Sequence, residues 1–156
     1  MDMTSINLEL NALIAFKEYL IEPDYTNVIG AVKLYNPETY KSLMIQFTSE
    51  NTLLTKCLNH EYPLLDALGI DFLIELNGKR YALDVTKGIR ATVKVKIKKQ
   101  NAKADFYHAI NAIPVILRSK SGYIPNKVLE FIEQSPKNGI VIDCRIGRNL
   151  ELLKNN

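Results

Sequence analysis

Tryptophan is absent from this 156-residue chain, and cysteine occurs only twice, at Cys57 and Cys144. Two thiols cannot staple a small scaffold, so they read as buried and reduced, with a Cys57–Cys144 bridge as the alternative. No apolar run approaches the roughly 20 residues needed to cross a bilayer. The start, MDMTSINLEL, lacks the basic flank and continuous apolar stretch of a secretion signal. A cytoplasmic protein without membrane contact is expected. Glycine is sparse, at 7 residues, and no Gly/Ser linker, repeat or low-complexity tract divides the chain, so a single domain over 1–156 is expected. The P-loop, the G-x-G-x-x-G fingerprint and the nucleophile elbow are all missing, which removes the common signatures of nucleotide binding and acyl transfer.

A chain of this length removes about 70% of its unfolded surface from water on folding. The formal net charge is only +3, but its distribution is uneven. Lys79, Arg80, Lys87, Arg90, Lys94, Lys96, Lys98, Lys99 and Lys103 place nine of the twenty Lys and Arg residues in one short segment, where Asp84 is the only acid. Such a segment is the footprint expected for phosphate contact, and equally that of a solvated lysine-rich face.

Periodicity outlines the elements. Ile6, Leu10, Leu13, Phe16 and Leu20 recur at helical spacing, with Thr4 or Ser5 as N-cap and Pro23 beyond the end. PETYKSLMIQF reads as a helix with Pro37 at its start, and ENTLLTKCLNH as another. Ala91, Val95, Ala102, Phe106, Ala109 and Ile113 predict a helix over most of 92–112, with a strand through VKVKIK as the second reading. IPVILRS reads as a strand, IPNKVLEFIEQSP as a helix from Pro125, and GIVIDCRI as a final strand. The order predicts an α/β fold, a mixed central sheet flanked by helices.

The sharpest local signal is GIDFLIELNGKRYALDVTKG, residues 69–88. Asn77-Gly78 between two alternating runs predicts a two-residue type I′ hairpin turn. That turn pairs Leu76 with Lys79, Glu75 with Arg80, Leu73 with Ala82, and Asp71 with Asp84. Ile70, Phe72, Ile74 and Leu76 then share an apolar face with Tyr81, Leu83 and Val85, while the acids take the other. Directly opposed residues have Cβ atoms about 5 Å apart. At an effective dielectric of about 20, two charges at about 5 Å repel by roughly 3 kcal/mol, a large part of a total stability of ~5–15 kcal/mol. A shared proton, a protein cation or a divalent metal would each compensate. Oxygen ligands of this kind suit Mg²⁺, which lowers the pKa of water and neutralises charge growing on a phosphodiester. Salt bridges from Arg80, Arg90 or a lysine are the structural alternative.

GID in one strand and ALDVTKG in the next resemble the core of the PD-(D/E)xK nuclease superfamily, the restriction-endonuclease-like and Holliday-junction-resolvase-like enzymes. The resemblance implies a restriction-endonuclease-like fold and metal-dependent DNA endonuclease activity. It implies Asp71 and Asp84 as metal-binding acids, with the Val85 carbonyl a further ligand, Mg²⁺ as the ion and Mn²⁺ as its substitute. Glu9 matches the glutamate on the family's first helix. Thr86 occupies the position of the family's lysine and Lys87 follows it, so a bulge at Thr86, or Lys94 or Lys98 from the next helix, would have to supply the cation. In this reading Lys87 orients the attacking water and Arg90, Lys94, Lys96, Lys98, Lys99 and Lys103 track the DNA backbone. Cutting both strands calls for a homodimer.

Two rivals remain: a nucleic-acid-binding module without catalysis, favoured by Thr86, and an assembly or immunity protein with structural acids. Cys57 and His60 have C-x-x-H spacing without a second pair to complete a zinc site. His108 reads as structural, and Tyr107 and Tyr123 as weak candidates for touching nucleic acid.

Overall fold

The computed structural model describes residues 3–144 and 150–155. Helix α1 (Met3–Phe16) runs into a 3₁₀ turn at Lys17–Tyr19. Four helices follow: α2 (Tyr25–Tyr35), α3 (Pro37–Phe47), α4 (Glu50–Leu58) and α5 (Leu64–Ala67). The hairpin β1 (Phe72–Leu76) and β2 (Lys79–Thr86) comes next, then α6 (Arg90–Ala102), α7 (Ala104–Ala109), β3 (Ile113–Arg118), α8 (Val128–Glu133), β4 (Ile140–Cys144) and β5 (Leu150–Asn155).

Local chemistry explains several boundaries. Asp24 caps α2 by accepting from the Asn27 N–H at 3.2 Å, and Ser49 caps α4 by accepting from the Thr52 N–H at 3.2 Å. Pro37 opens α3, where its missing N–H has no intrahelical partner to lose. Asn77 and Gly78 have φ of 51° and 81°, the left-handed pair that a type I′ turn requires. The pairing Leu76–Lys79, Glu75–Arg80 and Leu73–Ala82 is the predicted one.

The five strands lie in the order β1-β2-β3-β4-β5; the central β2, β3 and β4 are parallel and the outer pairs antiparallel. The fold is therefore α/β with a mixed sheet between helices. One face is built from Ile74, Tyr81, Leu83, Val115, Leu117 and Ile142, covered by Leu8, Ala12 and Phe16 of α1 and by Val128 and Ile132 of α8. The other carries Leu73 and Ala82 against α2 to α5 and α7, with Val93 of α6 on Ile116 and Val141.

Several expectations change. The acid-bearing face is a second core rather than an open surface. Ile70 joins that second core, because the strand pleat begins only at Phe72. On α1 the buried stripe is Leu8, Ala12 and Phe16, while Leu10 and Leu13 are 52% and 42% exposed. Thr4 and Ser5 lie inside α1 rather than capping it, and the side chain of Ile6 is outside the described ones. The 92–112 helix is two helices broken at Lys103, and its buried side is Val93 and Ile97; Ala91, Val95 and Ala102 face solvent. VKVKIK is helical. The helix after Pro125 begins at Val128. Both cysteines are buried and unbridged. β5 had no sequence signal, and Arg145 and Ile146, expected to end β4, lie outside the described residues.

Candidate functional site

Asp71 sits one residue before β1, where the hairpin opens beside the Gly69 turn. Its N–H donates to the Leu83 carbonyl at 2.8 Å, although Leu83 is already the register partner of Phe72, so the ladder ends irregularly and Asp71 lies beside Asp84 without the direct pairing expected from the turn. One oxygen of its carboxylate accepts from the Val85 N–H at 2.8 Å. The N–H and C=O of one strand residue point to the same side, so the Val85 carbonyl also faces the space beyond the end of β1. Asp84 sits deeper on the face covered by α6 and α7, its side chain 15% exposed.

The two carboxyls are within hydrogen-bonding reach, and Asp71 registers this. Burial raises its pKa most, the Val85 N–H opposes, and the charge of Asp84 and a side-chain hydrogen bond to it raise it further; Lys96 pulls it back in part. The result is pushed up from 3.8 to about 6. Asp71 is exposed as a residue at the mouth of the site, with its carboxyl turned inward.

The cation beside the pair is Lys96, whose Nζ donates to Asp84 Oδ2 at 2.9 Å and Oδ1 at 3.1 Å. Three features of α6 put it there. Gly88 lets the helix begin almost at the end of β2, since a Cβ at that position would sit 2.6 Å from Thr92 Cγ2. Val93 and Ile97 anchor the helix on Ile116 and Val141. Lys96 lies one turn after Val93 on the same side and directly precedes Ile97. Lys103 turns in as well: its Nζ lies 3.5 Å from the Leu68 carbonyl, and burial together with Lys99 lowers its pKa against the opposing pull of Asp84. The Tyr107 phenol is pushed up to about 12, first by burial and then by the charge of Asp84.

The expected DNA-tracking residues therefore divide. Arg90, Lys94, Lys98 and Lys99 are exposed on α6, while Lys96 and Lys103 point toward the acids. Lys87 is half-buried one residue beyond β2, and β2 keeps regular register with β3 through Thr86, so no bulge brings Lys87 onto the face of Asp84. Thr86 accepts from the Gly88 N–H at 3.0 Å and helps shape the turn into α6. Glu9 is exposed on α1, which covers the opposite face; it does not join Asp71 and Asp84, and no group of three or more His, Cys, Asp or Glu that could hold a metal occurs among the described residues. Tyr107 is core, packed edge-on to Phe106, and Tyr123 is 47% exposed. Cys57 is fully buried, whereas His60 faces Glu22 at 3.9 Å on the surface.

Sequence reasoning missed Arg118. It is the register partner of Thr86 and of Asp143, with Nη1 3.0 Å from Asp143 Oδ2 and Nε donating to the Gly88 carbonyl at 2.6 Å. This buried pair ties the turn before α6 to β4, and the IPVILRS strand gave no sign of it. The missed role of Lys96 has a weaker excuse. Its position, twelve residues after Asp84 on a helix, becomes legible only once Val93 and Ile97 are known to face the sheet.

No protein-family model, curated protein or solved structure matches the chain. Among the described residues no helix is long and apolar enough to cross a membrane.

Proposed function

We propose that the chain is a metal-dependent DNA endonuclease of the PD-(D/E)xK type. The observation that carries this reading is the approach of the Asp71 and Asp84 carboxyls to within hydrogen-bonding reach at the open end of the hairpin, with the backbone of Val85 facing the same space. Two carboxylates and a carbonyl are hard oxygen donors that suit Mg²⁺ or Mn²⁺ and leave room for water and a phosphate oxygen. When bound, such an ion lowers the pKa of an attacking water and neutralises charge on the phosphodiester. Asp71 and Asp84 would hold that ion, which would supply the activated water. Lys96 stands in the role that Thr86 vacates in the motif: released from one Asp84 oxygen, its ammonium is placed to stabilise the extra negative charge on the phosphate. Lys87 flanks the same end of β2. The exposed Arg90, Lys94, Lys98 and Lys99 supply salt-dependent contact with the DNA backbone, and a homodimer would present two such sites to two strands.

The test is cleavage of supercoiled plasmid by purified protein in Mg²⁺ or Mn²⁺, with Asp84→Ala alongside. Cutting by the wild type and loss in Asp84→Ala, with DNA binding kept, is the expected result; equal cutting by both proteins overturns the assignment.

One observation favours a second reading, a DNA-binding module that does not cut. Lys96 engages both oxygens of Asp84 and so already supplies a compensating positive charge. Salt-sensitive DNA binding with no cleavage in either metal identifies that case.

A further inference from the structure

One cavity lies away from the acids. It is a cleft of about 900 Å³ where β2 and β3 begin, bounded by the hairpin turn, the junction of α6 and α7, and the loop before β4. Arg80 on its wall precedes Asp84 by four strand residues, about 13 Å at ~3.3 Å per residue. The cleft is thus displaced from the acid pair, with Tyr107 lying between them under the charge of Asp84, and its argument does not depend on the reading of that pair.

Its lining has two characters. The buried Tyr107, Ala112 and Pro114 form an apolar floor. Three cations, Lys79, Arg80 and Lys137, line the cleft against one carboxylate, Asp105, and His108 lines it as well. Arg80 is only loosely held by Glu75, 3.6 Å away on the surface. Gln100, Asn111 and Asn138 also line it, and their carboxamides are neutral donors and acceptors. An apolar floor with a few convergent polar groups is the usual form of a small-ligand site, and the volume is within the usual range of about 300–1,000 Å³. The excess positive charge selects an anion, and the carboxamides suit the hydrogen-bonding edge of a heterocycle.

We propose that this cleft binds a nucleoside monophosphate unit, with the base against the floor of Tyr107, Ala112 and Pro114 and the phosphate between Lys79, Arg80 and Lys137. The same chemistry is offered by a free nucleotide and by the phosphorylated end of a nucleic-acid strand. Neither requires cleavage.

Amide-resolved NMR titration of the full chain tests the site, with AMP and adenosine as probes. AMP is expected to shift Gln100, Asn111 and Asn138 saturably, and adenosine to bind about tenfold more weakly for want of the phosphate. Lys79→Glu with Lys137→Glu, both on the surface, should weaken AMP at least tenfold with an unchanged folded spectrum. Asp84→Ala should leave AMP binding within twofold, which separates this site from the acid pair. A short 5′-phosphorylated oligonucleotide that binds more tightly than AMP assigns the strand end, and one that binds no better assigns the free nucleotide. Equal affinity for AMP and adenosine, shifts centred on Asp84, or no saturation at millimolar AMP overturns the proposal.

Discussion

Lys96 grips Asp84 by both carboxylate oxygens, at 2.9 and 3.1 Å, with the side chains only 29% and 15% exposed. The repulsion expected between Asp71 and Asp84 is thus met by a protein cation. Removing one member of such a pair strands the other in a poorly solvated place, at a cost of several kcal/mol. Lys96→Met should destabilise the fold by about 3 kcal/mol, toward the low end because both groups touch solvent. Adding Asp84→Asn should recover much of that loss. Urea unfolding of the two single variants and the double variant measures the coupling; additive losses would show that the two groups do not act as a pair.

Asp71 gives a prediction with a definite sign. Its carboxyl titrates at about 6 in the folded chain against an ordinary 3.8. Between those values the folded state holds more protons than the unfolded one. Stability from this group is therefore complete below pH 3.8 and is lost as pH rises through about 6. Asp71→Asn, which keeps an oxygen to accept from the Val85 N–H, should raise the melting temperature at pH 7.5 in metal-free buffer. At pH 3.5, where the native carboxyl is protonated, the two proteins should melt together. A variant that melts lower at pH 7.5 would contradict the crowding of the two acids.

The division of the basic segment is testable through salt. Each phosphate contact contributes about one unit to the slope of log K against log salt. Lys94 and Lys98 are exposed on α6. Replacing both by alanine should reduce that slope by about two, with similar loss of affinity for unrelated DNA sequences. An unchanged slope would take the outer face of α6 out of the interface.

What could be read from the sequence follows from how locally each signal is determined. The hairpin and its register from Phe72 to Leu83 rest on Asn77-Gly78 and on strict alternation, both contained within twenty residues. IPVILRS and GIVIDC are short apolar runs that fit strands buried on both faces, and they became β3 and β4. The failures came where a helix had more than one plausible apolar side. On α6, Ala91, Val95 and Ala102 make a tidy stripe, but Val93 and Ile97 offer the branched side chains that fill the space over Ile116 and Val141. That inversion moved Lys96 from the solvent face to the acid pair. Glu9 matches the first-helix glutamate only by position, and the burial of Leu8 and Ala12 leaves its side chain in solvent. Arg118 and Asp143 are 25 residues apart, and their pairing depends on the order of β3 and β4, which no local pattern states.

Gly88 is the backbone feature on which the position of Lys96 turns. A Cβ there would meet Thr92 Cγ2 at 2.6 Å and Thr92 Cβ at 2.7 Å, both closer than such atoms approach without something shifting. The turn has little freedom to yield, because the Gly88 carbonyl is held by Arg118 and its N–H by Thr86. Gly88→Ala should therefore displace the first turn of α6, loosen the Lys96–Asp84 contact and lower stability by roughly 1–3 kcal/mol, the usual range for overpacking. Thr92→Ala should rescue little, since it removes the nearer atom but keeps the Cβ at 2.7 Å. Thr92→Gly should rescue more, less the loss of helix propensity of a few tenths to about 1 kcal/mol that it carries alone. Chemical denaturation of Gly88→Ala and of its combinations with Thr92→Ala and Thr92→Gly checks the ordering. Full rescue by Thr92→Ala would mean that the turn yields and the Cγ2 contact alone sets the cost.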